Sequence, residues 1–234
     1  MQNSFNNYCR DHLFDVNGSL LVRDMQYYPS IALCALDAVM SIRLNYNNHV
    51  VPAIIHLCNQ MQIPFTLSDQ IPAENQQLTV NDFVERLDQN NLWDSESLRA
   101  VIGNYRTAGR HYIYKSEAFI SFIQSLTEAG INTYQDLSYL PDDAFQNLEN
   151  SLKDIPGQNV SVDYFFMLAG EADNIKVDTW LRRFSEDATG MHNLTNTQII
   201  TLFRNAAIQL SLDTGHNITP RHLDHAAWSF QRKL

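Results

Sequence analysis

The chain has 234 residues, 44% of them hydrophobic, and a formal net charge of −10, which is enough apolar material for a sizeable core in one domain or in two small lobes. No apolar run approaches the roughly 20 residues of a membrane span, and the opening MQNSFNNYCRDH lacks the apolar centre of a secretory signal, so an intracellular, cytoplasmic location is expected. An acidic chain of pI about 5.1 does not coat nucleic acid by bulk electrostatics, because phosphate contacts need Lys and Arg; only local cationic patches remain for that purpose.

The pattern is helical almost throughout. Ser19 to Arg23 gives the one hint of extended structure. Pro29-Ser30 marks the start of a helix over Ile31 to about Leu44, whose run IALCALDAVMSIRL is apolar on nearly every face, as in a central buried helix. Val51-Pro52 opens another, with Pro52 suited to the first turn and Ile54, Ile55 and Cys58 sharing a face. From Pro64 to Gln77 the chain is polar and irregular; Thr79 then caps a short helix over Val80 to Leu87.

After Ser116, Phe119, Phe122, Ile123 and Leu126 recur at helical intervals, with Gly130 where a C-terminal cap belongs. Pro141-Asp142-Asp143 begins a helix containing Phe145, Leu148 and Leu152, and Val162 to Ala169 is apolar enough to be interior. Thr195 to Leu212 is amphipathic through Ile199, Ile200, Phe203 and Ala207, and Thr219-Pro220 caps a last helix to Lys233. An all-α bundle of roughly ten helices follows. Cys9, Cys34 and Cys58 are widely spaced and read as reduced, buried thiols.

Two places concentrate chemistry. Between Arg99 and Lys115 the chain carries Arg99, Arg106, Arg110 and Lys115 and no acid, and Lys176, Arg182 and Arg183 surround Asp178. These are either patches for an anionic partner or the solvated faces of ordinary helices. The second place is Leu152 to Phe184. There Pro156-Gly157-Gln158-Asn159 separates two helix-like runs, and Asp178 follows in the phrase Lys176-Val177-Asp178-Thr179-Trp180, 21 positions after Gly157.

That order of hairpin, apolar helix and Val-Asp-Thr resembles the helix-hairpin-helix base-excision DNA glycosylases (the HhH-GPD superfamily) of the endonuclease III type, over residues 29–184. The resemblance implies a two-lobed helical fold, with residues 29–172 forming a barrel lobe that ends in the hairpin and residues 1–28 pairing with 173–234 as a second lobe across a cleft. The partner it implies is double-stranded DNA, bound by a protein for which a monomer is favoured. Duplex binding without base reading is done by outward backbone N–H groups on phosphate oxygens; Gly157, Gln158, Asn159 and Ser161 are the residues concerned. Family members usually place a second glycine where this chain has Asn159, a residue tolerant of positive φ.

By the same resemblance Asp178 is the catalytic carboxylate, stabilising the positive charge that develops on the sugar as a flipped base departs or orienting a water. Asp178 also reads as a plain helix N-cap, and both roles are compatible. Members that nick the strand carry a lysine in the helix after the hairpin for Schiff-base formation; here Ser161 or Asn159 stands there, which implies a monofunctional glycosylase or a member that has lost catalysis and binds DNA or protein only. Endonuclease III itself holds an iron-sulfur cluster on four cysteines near its C-terminus. This chain has no cysteine after Cys58, so that cluster is excluded and no cofactor is expected.

Arg43 falls at about the position from which the family fills the gap left by the flipped base, although a cation at a helix C-terminus has its own electrostatic reason. Arg106, Arg110 and Lys115 lie in a stretch resembling the family's phosphate-contacting Gly then Lys-Ala segment. Tyr105, Tyr112, Tyr164 and Trp180 are candidates for a base pocket, or else core aromatics. His222 and His225 on the last helix are the only spacing that suggests a metal pair; without a third ligand no metal is expected.

Overall fold

A computed structural model describes residues 1–21, 26–109, 112–170 and 175–233. Among them regular structure is helical, with only isolated bridges of extended kind such as Phe14 to Leu20, so the all-α class expected from periodicity is the one observed. No helix among the described residues is long and apolar enough to cross a membrane. Two compact units divide the chain, one built from Met1–Met25 with Glu171–Leu234 and the other from Gln26–Gly170.

The unit made from the two chain ends contains α1 (Gln2–Leu13), α10 (Thr179–Thr189), α11 (Asn196–Thr214) and α12 (Pro220–Gln231). In α1, Phe5, Cys9 and Leu13 recur every fourth residue and are buried against Leu181, Phe184, Leu202 and Phe203. The Phe5 ring meets Phe203 edge-on at 5.0 Å and Phe184 at 5.9 Å, a geometry that aromatic quadrupoles favour. Thr195 with Gln198 and Thr219 with His222 form capping boxes that start α11 and α12. Of the Ser19 to Arg23 stretch, Leu20 pairs with Phe14, while Val22 and Arg23 lie outside the described residues.

The Gln26–Gly170 unit holds α2 (Ile31–Met40), α3 (Val51–Gln60), α4 (Val80–Gln89), α5 (Ser95–Ile102), α6 (Lys115–Glu128), α7 (Tyr134–Ser138), α8 (Asp142–Asp154) and α9 (Asn159–Leu168). Every residue of α2 is buried, and it packs on α3, α4, α6 and α9. Its one acid, Asp37, is fully enclosed and satisfied by hydroxyls: Tyr28 at 2.7 Å and Tyr46 at 2.9 Å on Oδ2, and Ser41 at 2.7 Å on Oδ1. Burial, and next the charge of Asp37, push both tyrosines above their ordinary range. Tyr164 joins this group through the Tyr46 hydroxyl.

The helix expected over Ile31 to Leu44 stops at Met40. Arg43 takes a left-handed φ of 58°, and the chain restarts as a π-helical turn, Tyr46–Val50, that runs into α3. The carbonyls released at this end are taken by Lys115, whose ammonium lies 2.8 Å from each of Val39 O, Met40 O and Ile42 O.

Candidate functional site

The hairpin expected at Pro156-Gly157 joins α8 to α9. Ile155 turns to extended backbone, φ −65° and ψ 125°, and the Gln158 N–H closes the bend on Ile155 O at 3.1 Å. Gly157 has φ +76°, and a Cβ there would lie 2.3 Å from Ala108 O and 2.9 Å from Ala108 N. Glycine is therefore required twice over, by conformation and by the approach of another backbone. The N–H groups of Gly157, Asn159 and Val160 make no hydrogen bond among the described residues, and all three residues are exposed. They lie at the start of α9, at the positive end of its dipole.

Other hairpin residues are placed differently from the expectation. Asn159 does not adopt positive φ; it is the first residue of α9, so the bend needs no second glycine. Gln158 and Ser161 are fully buried, with the Ser161 hydroxyl 2.7 Å from Gln158 O and in contact with the Gln158 side-chain amide. Their side chains are thus part of the packing under the bend, while Gly157, Asn159 and Val160 stay exposed.

Gly157 rests on Thr107 and Ala108, in the segment between α5 and α6. Thr107 N–H bonds Ile113 O and Lys115 N–H bonds Tyr105 O, each at 2.9 Å, on either side of an isolated antiparallel bridge between Arg106 and Tyr114. Here Arg106 donates to Tyr114 OH at 2.9 Å, with its guanidinium 4.4 Å over the Tyr114 ring and 4.8 Å over that of Tyr112. Arg99 from α5 lies 4.2 Å over the same Tyr114 ring. Two cations share one aromatic ring, and neither has a carboxylate partner among the described residues. Tyr112 is 54% exposed, and Tyr105 OH meets His49 Nδ1 at 3.1 Å. Arg110 lies outside the described residues.

Lys115 corrects the sequence reading. Its side chain is fully buried, and its ammonium neutralises the negative end of the α2 dipole, so it is not presented to a phosphate. Because Lys115 supplies that cation, Arg43 is not the cap of α2: it is exposed and makes no hydrogen bond or ion pair among the described residues.

Asp178 belongs to the other unit, at the N-cap of α10. Its Oδ1 accepts from Trp180 N–H at 2.8 Å and Leu181 N–H at 3.1 Å, while Oδ2 accepts nothing among the described residues. Asp178 and Trp180 are both half-buried. The cap and the catalytic assignment are compatible at the level of atoms, since one oxygen is committed to the helix and the other is uncommitted. Beside it stands an acid that is not among the expected site residues, between His222 and His225 in the sequence. Asp224 on α12 is buried, and its Oδ2 accepts from Lys176 N–H at 2.8 Å. Burial pushes its pKa up to about 7, opposed by that N–H bond and reinforced by the charge of Asp178. The available signal was its setting, an aspartate between Leu223 and Ala226-Ala227 in a helix that buries all three.

His222 and His225 have structural employment: His222 Nδ1 accepts from Thr219 N–H at 3.1 Å, and His225 stacks on Trp228. Among the described residues no group of three or more potential ligands is placed to hold a metal ion. Cys9, Cys34 and Cys58 are buried on three different helices, and burial pushes the Cys58 thiol up to about 11. Three such thiols do not fit a four-cysteine cluster.

Among solved structures the chain is similar to the crystal structure of Clostridium acetobutylicum 8-oxoguanine glycosylase/lyase in complex with dsDNA containing cytosine opposite to 8-oxoG, at 13% identity and a TM-score of 0.44, covering 88% of this chain and 61% of that one. The chain thus spans less than two thirds of that protein's length. No curated protein matches it. A family match extends over residues 4–232, which is nearly all of both units, and the chain belongs to that family, described as Domain of unknown function (DUF8548).

Proposed function

We propose that the protein is a monofunctional DNA glycosylase that binds duplex DNA and hydrolyses the N-glycosidic bond of an extruded, damaged or modified base. The observation that carries this reading is the state of Asp178: in the Val-Asp-Thr phrase that follows the hairpin, one carboxylate oxygen is spent on the helix and the other is open. The three outward N–H groups at Gly157 to Val160 and the unneutralised Arg99 and Arg106 beside them support phosphate binding by an otherwise acidic chain.

In the reaction the bond from the sugar carbon to the base nitrogen breaks first, and positive charge develops on the sugar. The open oxygen of Asp178 stabilises that charge and orients a water. The departing base takes up a proton from solvent, water adds to the sugar carbon, and the proton that this water loses returns to solvent through the carboxylate. Neither Ser161 nor Asn159 offers an amine, and Ser161 is buried under the bend, so no Schiff base forms and the strand stays intact.

A second reading, a binding module without chemistry, is favoured by the inward placement of Lys115, Gln158 and Ser161, which leaves fewer groups for phosphate than the sequence suggested. Incubating the protein with a panel of duplexes bearing alkylated, oxidised or deaminated bases separates the two. The glycosylase produces abasic sites that break only on alkaline treatment. Absence of abasic sites across the panel would establish the module instead, and strand nicking without alkali would refute the monofunctional assignment.

A further inference from the structure

We propose that Asp224 is a positioning residue for Asp178: from the buried face of α12 its carboxylate grips the Lys176 N–H, fixes the path of residues 175–178 into the head of α10, and transmits the gain or loss of its own proton to Asp178. The catalytic side of this proposal rests on reading Asp178 as the acting carboxylate.

Residues 175–178 form no helix or strand. Several contacts hold them. Ile175 is buried in the core of its unit, Lys176 N–H bonds Asp224 Oδ2 at 2.8 Å, and Asp178 caps α10 through Oδ1. The bond to Asp224 comes from a side chain 48 positions away, and it sits two residues before Asp178.

A neutral acceptor such as Asn would satisfy one N–H group. A carboxylate among Leu223, Ala226 and Ala227, all buried, carries a desolvation penalty that an amide avoids, so the charge itself is the feature to explain. Lys176 and Asp178, from the segment ahead of α10, and Arg221, on its own helix, are the charged groups that act on Asp224; α10, α1 and α11, the helices packed on α12, contribute none among the described residues. With its pKa raised to about 7, chiefly by burial, Asp224 changes charge across neutrality. Protonation weakens its hold on Lys176 N–H and removes a negative neighbour from Asp178.

The test is an NMR pH titration of the intact protein, following the backbone amides of Lys176, Trp180 and Leu181. The first bonds Asp224 and the other two bond Asp178, so all three are expected to share one midpoint near neutrality, and Asp224→Asn is expected to abolish that step. Three amides without a common step in the wild type would overturn the proposal, as would a step that survives Asp224→Asn. Should that variant not fold, the His222→Gln, His225→Asn double variant decides: the step must persist, because it belongs to Asp224 and not to the two histidines on the same helix. On a duplex the wild type processes, Asp224→Asn retains base release but flattens its pH profile across neutrality, whereas Asp178→Asn loses release. Wild-type release by Asp178→Asn would remove the functional reading while leaving the amide titration to judge the positioning claim.

Discussion

Replacing Lys115 with Met lowers the stability of the Gln26–Gly170 unit by about 3 kcal/mol or more. The ammonium is 2.8 Å from three carbonyl oxygens at the end of α2, Val39, Met40 and Ile42, and the side chain is wholly enclosed. Met matches the stem in length and fills the same space, so the loss isolates the hydrogen bonds. Each buried carbonyl left without a donor costs about 1 to 3 kcal/mol, and the favourable cation at the α2 C-terminus goes as well. The end of α2 also precedes Arg43 and the π-helical turn that leads to His49, which meets Tyr105, so the variant loosens the loop carrying Arg106 too. Urea unfolding of wild type and variant measures the effect, and a difference under about 1 kcal/mol would show that Lys115 does not bear this load.

Gly157→Ala is the second large effect. At φ +76° an alanine costs roughly 1 to 2 kcal/mol from its own backbone. The added Cβ would also sit 2.3 Å from Ala108 O, a contact that neither backbone can relieve by rotating a side chain, so the hairpin and the backbone at Ala108 must move apart. Gly190 is the control, because it has φ +67° at the end of α10 and nothing within 4 Å of the place a Cβ would take. Gly190→Ala is expected to cost only the conformational part. Gly157→Ala is expected to cost clearly more and to weaken duplex binding several-fold, since the outward N–H groups of Gly157, Asn159 and Val160 depend on that bend. Equal stability losses in the two variants would refute the close approach.

How much of this was legible in the sequence depends on whether local or distant groups decide each feature. The all-α class was legible because Phe119, Phe122, Ile123 and Leu126 in α6, or Ile199, Phe203 and Ala207 in α11, repeat at helical spacing. So was the hairpin, because Pro156-Gly157 interrupts such repeats. The spacing of Phe5, Cys9 and Leu13 was also there to be read, but the polar residues between them masked α1. The end of α2 was not legible, since its apolar pattern continues past Met40 and the helix is ended by a turn whose carbonyls go to Lys115, 75 positions after Met40. For the same reason Lys115 looked like a surface cation in a basic stretch.

At the site, Asp178 was legible as a cap because capping is local: the acceptor lies two and three residues from its donors. Asp224 was not, because its partner, Lys176 N–H, is 48 positions away in the chain. The inward turn of Gln158 and Ser161 likewise depends on how tightly the bend packs on Ala108, which no pattern within the hairpin encodes.

The most direct measurement of the central claim compares wild type with Asp178→Asn on one duplex that the wild type converts to an abasic site, under single-turnover conditions and with duplex affinity measured alongside. Asn keeps an oxygen to cap α10 but carries no charge to oppose the cation developing on the sugar. Base release is predicted to fall by at least about 100-fold while affinity for the duplex stays within a few-fold of wild type. Release at an unchanged rate would contradict the account.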